Sequence, residues 1–280
     1  MTTAAPARPP DRGRAVVVLI LIGIVAVALL AGLGYLVVRS TTGHGTATPG
    51  PSTPTASSTP ATDVSATTDS GSDRAREDVL AAAPMMQLPA SAAQPQPLVT
   101  AKAGPPIVLP APTAKLVPGG PPVATGFPHT PEGALAQLAA IDEAALSTTA
   151  MDRVHEVYTW AAQPGAVNEP EWTPAVAVGA IIDEAGGTAA AAGAHAAFHS
   201  VEGQIKGTVG GDFVLACVLG ELDVTIQQVG RAGLGDCQRM VWSQGRWWIG
   251  SGKQPAYAPS AWPGGADSVR AGWRVLKRAT

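Results

Sequence analysis

The feature that most constrains this chain is an apolar segment near its N-terminus. Residues 15–38, AVVVLILIGIVAVALLAGLGYLVV, carry no charged side chain over 24 positions. At about 1.5 Å of rise per residue, a helix of this length can cross a hydrocarbon core of about 30 Å. A cleaved signal peptide has a shorter apolar run that ends in small residues, whereas this run ends in Tyr35 and is followed by Arg39. We therefore predict an uncleaved transmembrane helix, a signal-anchor in the lipid bilayer.

The charges that flank this segment predict its direction. Arg8, Arg12 and Arg14 precede it, and Arg39 alone follows closely. Positive charge accumulates on the cytoplasmic side of membrane helices. The sequence thus predicts a single-pass plasma-membrane protein with a cytoplasmic tail at residues 1–14, and with everything after the helix outside.

The distribution of aromatic residues divides the rest of the chain. Twelve of the thirteen aromatics lie at or after Phe127, and none lies between Tyr35 and Phe127. Residues 39–127 are dominated by Pro, Ala, Thr, Ser and Gly, which cannot bury enough surface to offset the entropy of ordering. We expect a stalk at 39–127 that is partly ordered at its end, and one folded domain at 128–280.

The second half of this stalk is less uniform in composition. Residues 73–83 could form a short helix, and the segments PLVTA and PPIVLPAP are apolar enough to lie extended along the domain. Their prolines restrict them to sheet edges or polyproline conformation. The sequence leaves the order of residues 74–127 open.

The domain itself changes pattern at its midpoint. Thr130-Pro131-Glu132 predicts a helix start, a second helix lies within 147–165, and a third runs from 174 to 184. After His199, alternation and β-branched residues between glycine turns predict an antiparallel sheet. Helices followed by strands indicate an α+β domain with helices on one face of a curved sheet.

That order, three helices and then strands of which the central one is long, resembles the cone-shaped domains named after nuclear transport factor 2. Such domains occur as enzymes, as ligand pockets and as scaffolds. The resemblance therefore implies a nuclear-transport-factor-2-like fold and leaves the function open.

The two cysteines of the chain are candidates for a disulfide bond. Cys217 and Cys237 both lie in expected strands of a domain outside the membrane, where conditions are oxidising. Closing the loop between them would stabilise the fold by about 3 kcal/mol. Two buried free thiols are the alternative, and a catalytic dithiol would need a C-x-x-C motif that the sequence lacks.

Patterns of metal-ligating and catalytic residues are weak. His195 and His199 are four apart, but no HExxH signature or third ligand accompanies them, so we expect no metal and no cofactor. No nucleophile elbow, phosphate loop or kinase signature is present, so we expect no catalytic residues and no enzyme. The adjacent acids Asp142-Glu143 and Asp183-Glu184 point in different directions on a helix and are expected to be solvated.

The charge of the domain bears on its partners. From His129 onward, ten Lys and Arg face fifteen Asp and Glu. A nucleic-acid binder needs a basic field, so we expect no nucleic-acid partner.

The last segment, PGGADSVRAGWRVLKRA, predicts a C-terminal helix with an apolar stripe and a basic stripe. The basic stripe consists of Arg270, Arg274, Lys277 and Arg278. Two interpretations stay open. The helix either docks with its cations near the negative end of its dipole, or presents them to an acidic partner or to lipid headgroups.

Three stretches carry a resemblance to a known family: GFPHTPEGA from Gly126, DCQRMVWSQGRWWI from Asp236, and PSAWPGGADSVRAGWR from Pro259. They resemble a family of actinobacterial membrane-anchored proteins of uncharacterised function, over about the last 155 residues. Members are similar in layout to the bitopic scaffold proteins of conjugation and type IV secretion, which carry a cone-shaped extracytoplasmic domain on one membrane helix.

This resemblance implies a non-enzymatic scaffold or assembly component that works through protein contacts outside the membrane, with other proteins or with a second copy of itself. Two alternatives remain from the sequence: a tethered binder or sensor of a cell-envelope ligand, and an uncharacterised envelope enzyme. A scaffold should have a filled interior, whereas a binder or enzyme should have an open pocket with converging polar groups.

Overall fold

The computed structural model describes residues 68–279, apart from residues 115, 117 and 118. The expected cytoplasmic tail, the expected membrane helix at 15–38 and the first part of the stalk lie outside the described residues. Within the described part of the chain, no helix is long and apolar enough to cross a membrane. The predictions for residues 15–38 therefore stay predictions.

Apart from the short strand Ile107–Leu109 and the short helix Ala266–Arg270, the described residues form helices up to residue 191 and strands from residue 195 onward. The α-helices are α1 (Thr68–Ala82), α2 (Pro131–Leu146), α3 (Met151–Ala161), α4 (Thr173–Ala185), α5 (Thr188–Ala191) and α6 (Ala266–Arg270). Short 3-10 helices lie at Ala90–Ala93 and Glu169–Glu171. The strands are β1 (Ile107–Leu109), β2 (His195–Val209), β3 (Phe213–Thr225), β4 (Val229–Ser243), β5 (Arg246–Ile249) and β6 (Arg274–Arg278).

The six strands form one sheet in the order β1-β6-β2-β3-β4-β5. Strands β2 to β5 make an antiparallel meander, β6 pairs antiparallel with β2, and β1 pairs parallel with β6. The sheet curls into a half-barrel, and the helices lie against it. The predicted α+β class is confirmed.

The three helices predicted at the start of the domain are present. Helix α2 begins at its predicted cap, where the Thr130 hydroxyl accepts a hydrogen bond from the Gly133 amide at 3.1 Å and Pro131 takes the first helical position. Helix α4 ends at Gly186, whose φ of 91° closes the helix in the left-handed conformation.

Helix α2 is the centre of the main core. Its residues 133–142 are all buried, because one side packs on β2, β3 and β4 and the other contacts α3 and α4. Leu135, Leu138 and Ile141 have no exposed surface, and Trp172 fills the space beside α4. The layer between helices and sheet is thus filled with apolar side chains.

The opposite face of the sheet is covered by residues 68–109, which we call the N-terminal strap. Ala81 of α1 packs with Phe213 and Leu215, and further along the strap Met85 and Leu88 pack around the two cysteines. Every residue of β3 from 213 to 220 is consequently buried. The folded domain therefore includes the strap and extends well before residue 128.

Backbone hydrogen bonds fix the strap along its length. The Ala256 amide donates to the Ala81 carbonyl at 2.9 Å, and the Trp262 amide donates to the Ala92 carbonyl at 2.7 Å. The strap ends in β1, the segment IVL within PPIVLPAP, at the edge of the sheet. An edge is where flanking prolines allow a strand.

The C-terminal helix predicted over the last segment is wrong. Helix α6 stops at Arg270, Gly272 takes a φ of 87°, and the chain continues as β6. The apolar spacing of Val269, Trp273 and Leu276 fits a helix locally, but pairing with β1 and β2 prevails. The predicted basic residues therefore do not share one helical face.

Candidate functional site

The four basic residues expected as a partner surface are mostly engaged within the domain. Arg270 pairs with Asp267 at 2.8 Å, and Arg278 pairs with Glu143. The Arg274 guanidinium donates to the Pro105 carbonyl at 2.7 Å. Lys277 is exposed and lies in register with Val108 of β1, so the two side chains share one face of the sheet edge.

Exposed apolar side chains concentrate on the strap. In the part of the chain that the structure describes, seven large apolar residues are exposed, and four belong to the strap: Val79, Met86, Leu98 and Val108. Val79 and Leu98 are 72% and 74% exposed, respectively. A surface groove of about 420 Å³ runs beside α1, lined by Ala75, Arg76, Val79, Leu80 and Ala83. The strap thus has one apolar side against the sheet and apolar residues on its outer side.

Charged side chains hold the strap to the sheet. The Arg239 side chain is 3% exposed, and its Nη2 lies 2.8 Å from Asp78 and 3.5 Å from Glu77, both on α1. The guanidinium also lies 5.3 Å from the centre of the Phe213 ring. The Lys206 ammonium donates to the carbonyl of Ala83, the residue after α1, and burial lowers the pKa of Lys206.

The predicted disulfide is confirmed. Cys217 and Cys237 face each other directly across β3 and β4, and their sulfur atoms are bonded. Both residues are buried, and Met85 of the strap lies 3.5 Å from the Cys237 sulfur. The bond therefore joins β3 and β4 beneath the strap, and no other cysteine exists in the chain.

His195 and His199 lie on β2 rather than on a helix, and both are exposed. Four residues along a strand span about 13 Å, so the two imidazoles cannot hold one ion together. Among the described residues, no group of three or more His, Cys, Asp or Glu is arranged to hold a metal ion.

The tryptophans of the sheet end pack on one another. The Trp242 ring stacks on His129 at 4.5 Å, and Trp247 meets both rings edge-on. Arg246 lies over Trp160 and Trp248, and burial lowers its pKa to about 10. These aromatics close the end of the sheet beside the start of α2, since Trp247 donates to the Pro128 carbonyl at 2.9 Å.

The filled core contains two carboxylates that the sequence did not single out as a site. Asp142 of α2 has no exposed surface, and Asp236 of β4 is 2% exposed. The two charges are close enough to raise the pKa of Asp142. Asp142 was expected to be solvated beside Glu143, and that expectation is wrong, because Asp142 has no exposed surface, whereas Glu143 is half-buried. Asp183 and Glu184 are exposed as expected.

The surroundings of these two carboxylates differ. Asp236 accepts hydrogen bonds from the Gln238 amide at 2.9 and 3.0 Å, from the Thr173 hydroxyl and from the Cys237 amide. Neither oxygen of Asp142 has a hydrogen-bond partner. Burial raises the pKa of both groups, but the donors around Asp236 oppose that rise, whereas Asp236 and Glu143 raise the pKa of Asp142 further.

A second surface groove, of about 400 Å³, lies between α2, the start of α3 and the loop before α2. Small apolar residues form its floor, and polar residues form its rim. The lining consists of Pro122, Ala124, Ala140, Glu143, Ala144, Ser147, Thr148 and Arg153. Ser147 and Glu143 also accept hydrogen bonds from the Phe198 and Ser200 amides, which lie in the part of β2 that β6 does not pair with.

With this geometry described, the chain can be compared with known proteins. Neither the family models, nor the curated proteins, nor the solved structures contain a match to it. The fold and the contacts above are therefore the grounds on which a function is proposed.

Proposed function

We propose that this protein is a membrane-anchored, non-enzymatic scaffold whose extracytoplasmic domain contacts other proteins of a conjugative or secretion-like apparatus. In this proposal the half-barrel and its helices are a nuclear-transport-factor-2-like cone used for protein contacts. The actinobacterial resemblance of three sequence stretches and the expected single membrane helix support the layout.

One observation carries the proposal: four large apolar side chains are exposed on the outer side of the strap, although its inner side already covers the sheet. The exposed residues are Val79, Met86, Leu98 and Val108. A segment that served only as a solvated linker would not need apolar side chains at these positions. Patches of exposed apolar residues rimmed by polar groups are typical of protein contact sites. Lys277 beside Val108 joins one of the predicted basic residues to this surface.

Site-specific photo-crosslinking in the native membrane tests the proposal. A photoreactive residue is placed at Val79 or Leu98, with Gln227 as a matched control, because it is exposed on a turn of the sheet far along the chain from the strap. Adducts from Val79 or Leu98 should contain channel proteins of the apparatus, identified by mass spectrometry. Adducts at Gln227 alone, or none at all, would count against a scaffold that binds through the strap.

A tethered binder of a small cell-envelope ligand is the second candidate, and the groove between α2 and α3 favours it. Its volume of about 400 Å³ falls within the range of small-molecule sites, and Glu143 and Arg153 place opposite charges at its rim. Loss of ligand-dependent thermal stabilisation in Ala144→Trp, which fills the floor, would distinguish this function from the scaffold.

A further inference from the structure

The core of this domain holds two acidic groups without a cation. Asp142 and Asp236 project from α2 and β4 into the layer between helices and sheet, and in the described part of the chain neither forms an ion pair with Lys, Arg or His. Transferring an ionised carboxylate into such a place is costly unless it is paired or hydrogen-bonded.

A third buried acid shows what compensation looks like. Glu202 of β2 is also 2% exposed and its Oε2 has no partner, but the Ser268 side chain, the Gly264 amide and the charge of Lys102 each oppose the rise of its pKa on burial. Asp236 is compensated in a similar way by Gln238, Thr173 and the Cys237 amide. Asp142 has no such donor, so among these three buried acids it is the one whose protonated form is most favoured over its ionised form.

The position of Asp236 links this acid pair to helix α4. Thr173 is the first residue of α4, so the Asp236 carboxylate lies at the positive end of that helix dipole. The preceding residue, Trp172, is completely buried, and its indole N–H has no partner. The donors and the helix dipole stabilise the ionised form of Asp236 against the effect of burial, whereas no donor supports a second negative charge on Asp142.

We propose that Asp142 and Asp236 form a proton-binding site in which Asp142 holds the proton, so that the packing of α2 and of the start of α4 on the sheet is coupled to pH. The charged and titratable groups that act on this site are Glu143 on α2 and Asp236 on β4; α4 contributes the Thr173 hydroxyl and its dipole. With the proton bound, one negative charge is held by donors. When the proton leaves, the uncompensated charge on Asp142 repels the charge on Asp236 across the α2–β4 contact.

The sign of the pH effect follows from linkage. A carboxyl group whose pKa is higher in the folded than in the unfolded chain binds more protons when folded. Its contribution to the free energy of unfolding is therefore fully present below its pKa in the unfolded chain, which is about 4. Stability is then lost as the pH rises through the raised pKa of Asp142. The domain should loosen toward alkaline pH, first where α4 begins.

Urea unfolding of the full-length protein in detergent, from about pH 5 to about pH 8, tests this proposal. The urea midpoint of the wild type should fall across that range, and Asp142→Asn should remove most of the fall. Glu132→Gln is the matched control, since Glu132 is an exposed acid on the same helix, and it should retain the wild-type slope. Equal slopes in the wild type and in Asp142→Asn would overturn the proposal.

Two further measurements keep the proposal falsifiable if Asp142→Asn does not fold. An infrared carbonyl band of a protonated carboxyl group should persist in the wild type at neutral pH, and its absence would overturn the proposal. Hydrogen exchange should show amides at the start of α4 opening more at alkaline pH, while those of α1 keep their intrinsic pH dependence. A uniform change in α1 and α4 would contradict a local coupling.

Discussion

At the scale of single residues, Arg239 shows how one buried cation can connect two parts of the chain. It lies on the same strand as Asp236 and Cys237, and it reaches Glu77 and Asp78 on α1 from beneath the strap. Asp78 is half exposed, so its charge remains partly solvated, whereas the guanidinium is almost fully buried. The contribution of this ion pair to stability should therefore lie between that of a surface ion pair and that of a fully buried one.

We predict that Arg239→Ala lowers the free energy of unfolding by about 2–3 kcal/mol, because packing on Phe213 and the contacts to α1 are lost together. The control is Arg231→Ala, whose side chain is 53% exposed and pairs with Asp223 at 3.2 Å. That substitution should cost less than about 1 kcal/mol. Urea unfolding monitored by circular dichroism measures both, and equal losses would contradict the role assigned to Arg239.

The residues of greatest interest were only partly accessible from the sequence. The Cys217 and Cys237 pairing followed from compartment and strand patterning, and the structure confirms it. Asp142 could not be recognised, because the sequence around it, AAIDEAAL, has the appearance of a helix with one solvated side. Only the sheet, the loop before α2 and two neighbouring helices together bury this side of α2, and most of these contacts are non-local.

At the scale of elements, α1 is a helix with one exposed and one covered side. Leu80 packs with Ala81 and Phe213, and Gly207 of β2 lets it approach closely, since a Cβ atom there would lie 2.9 Å from the Leu80 methyl groups. Val79, the adjacent residue, is largely exposed. Substitutions at Leu80 and at Val79 therefore test two different things: the packing of α1 on the sheet, and the exposed surface of α1.

Leu80→Glu should detach α1 locally, because the carboxylate would be buried against the sheet at a cost of about 2 kcal/mol. Amides of α1 should then exchange about 30-fold faster with deuterium, while those of α2 keep their protection. Val79→Glu should leave exchange unchanged and weaken only partner crosslinking. Faster exchange in both variants would indicate that the α1 surface is not divided in this way.

Elements with local signals were predicted well, and elements with non-local partners were not. Thr130-Pro131 and the apolar spacing identified α2, and the alternation after His199 identified the meander. Strand β6 was mistaken for a helix because its partners, β1 and a two-residue stretch of β2, lie far away in the chain. The local spacing of Val269, Trp273 and Leu276 does not indicate that these distant strand partners exist.

At the scale of the whole molecule, the strap changes where the domain begins. Residues 68–109, which belong to the stalk expected at 39–127, are folded against the sheet. The estimate of a flexible tether therefore does not apply to them.

The same boundary predicts which fragments of the protein can fold. A fragment of residues 128–280, the domain expected from the aromatic distribution, would uncover Phe213, Leu215 and Leu219 and lose β1 from the sheet edge. Exposing three large apolar side chains costs about 5 kcal/mol or more, which is comparable with the total stability of many domains. A fragment of residues 68–280 keeps these contacts.

We therefore expect the 68–280 fragment to be soluble and to unfold cooperatively, and the 128–280 fragment to bind a hydrophobic dye and to lack a sharp thermal transition. Both fragments retain Cys217 and Cys237, so a difference between them cannot come from the disulfide. Adding the 68–127 segment as a separate peptide should restore a thermal transition to the shorter fragment. The reason is that the strap packs on the sheet through non-covalent contacts, which a separate peptide can also make. Equal stability of the two fragments would show that the strap lies on the domain without supporting it, and the outer strap surface would then be a movable cover rather than a fixed contact site.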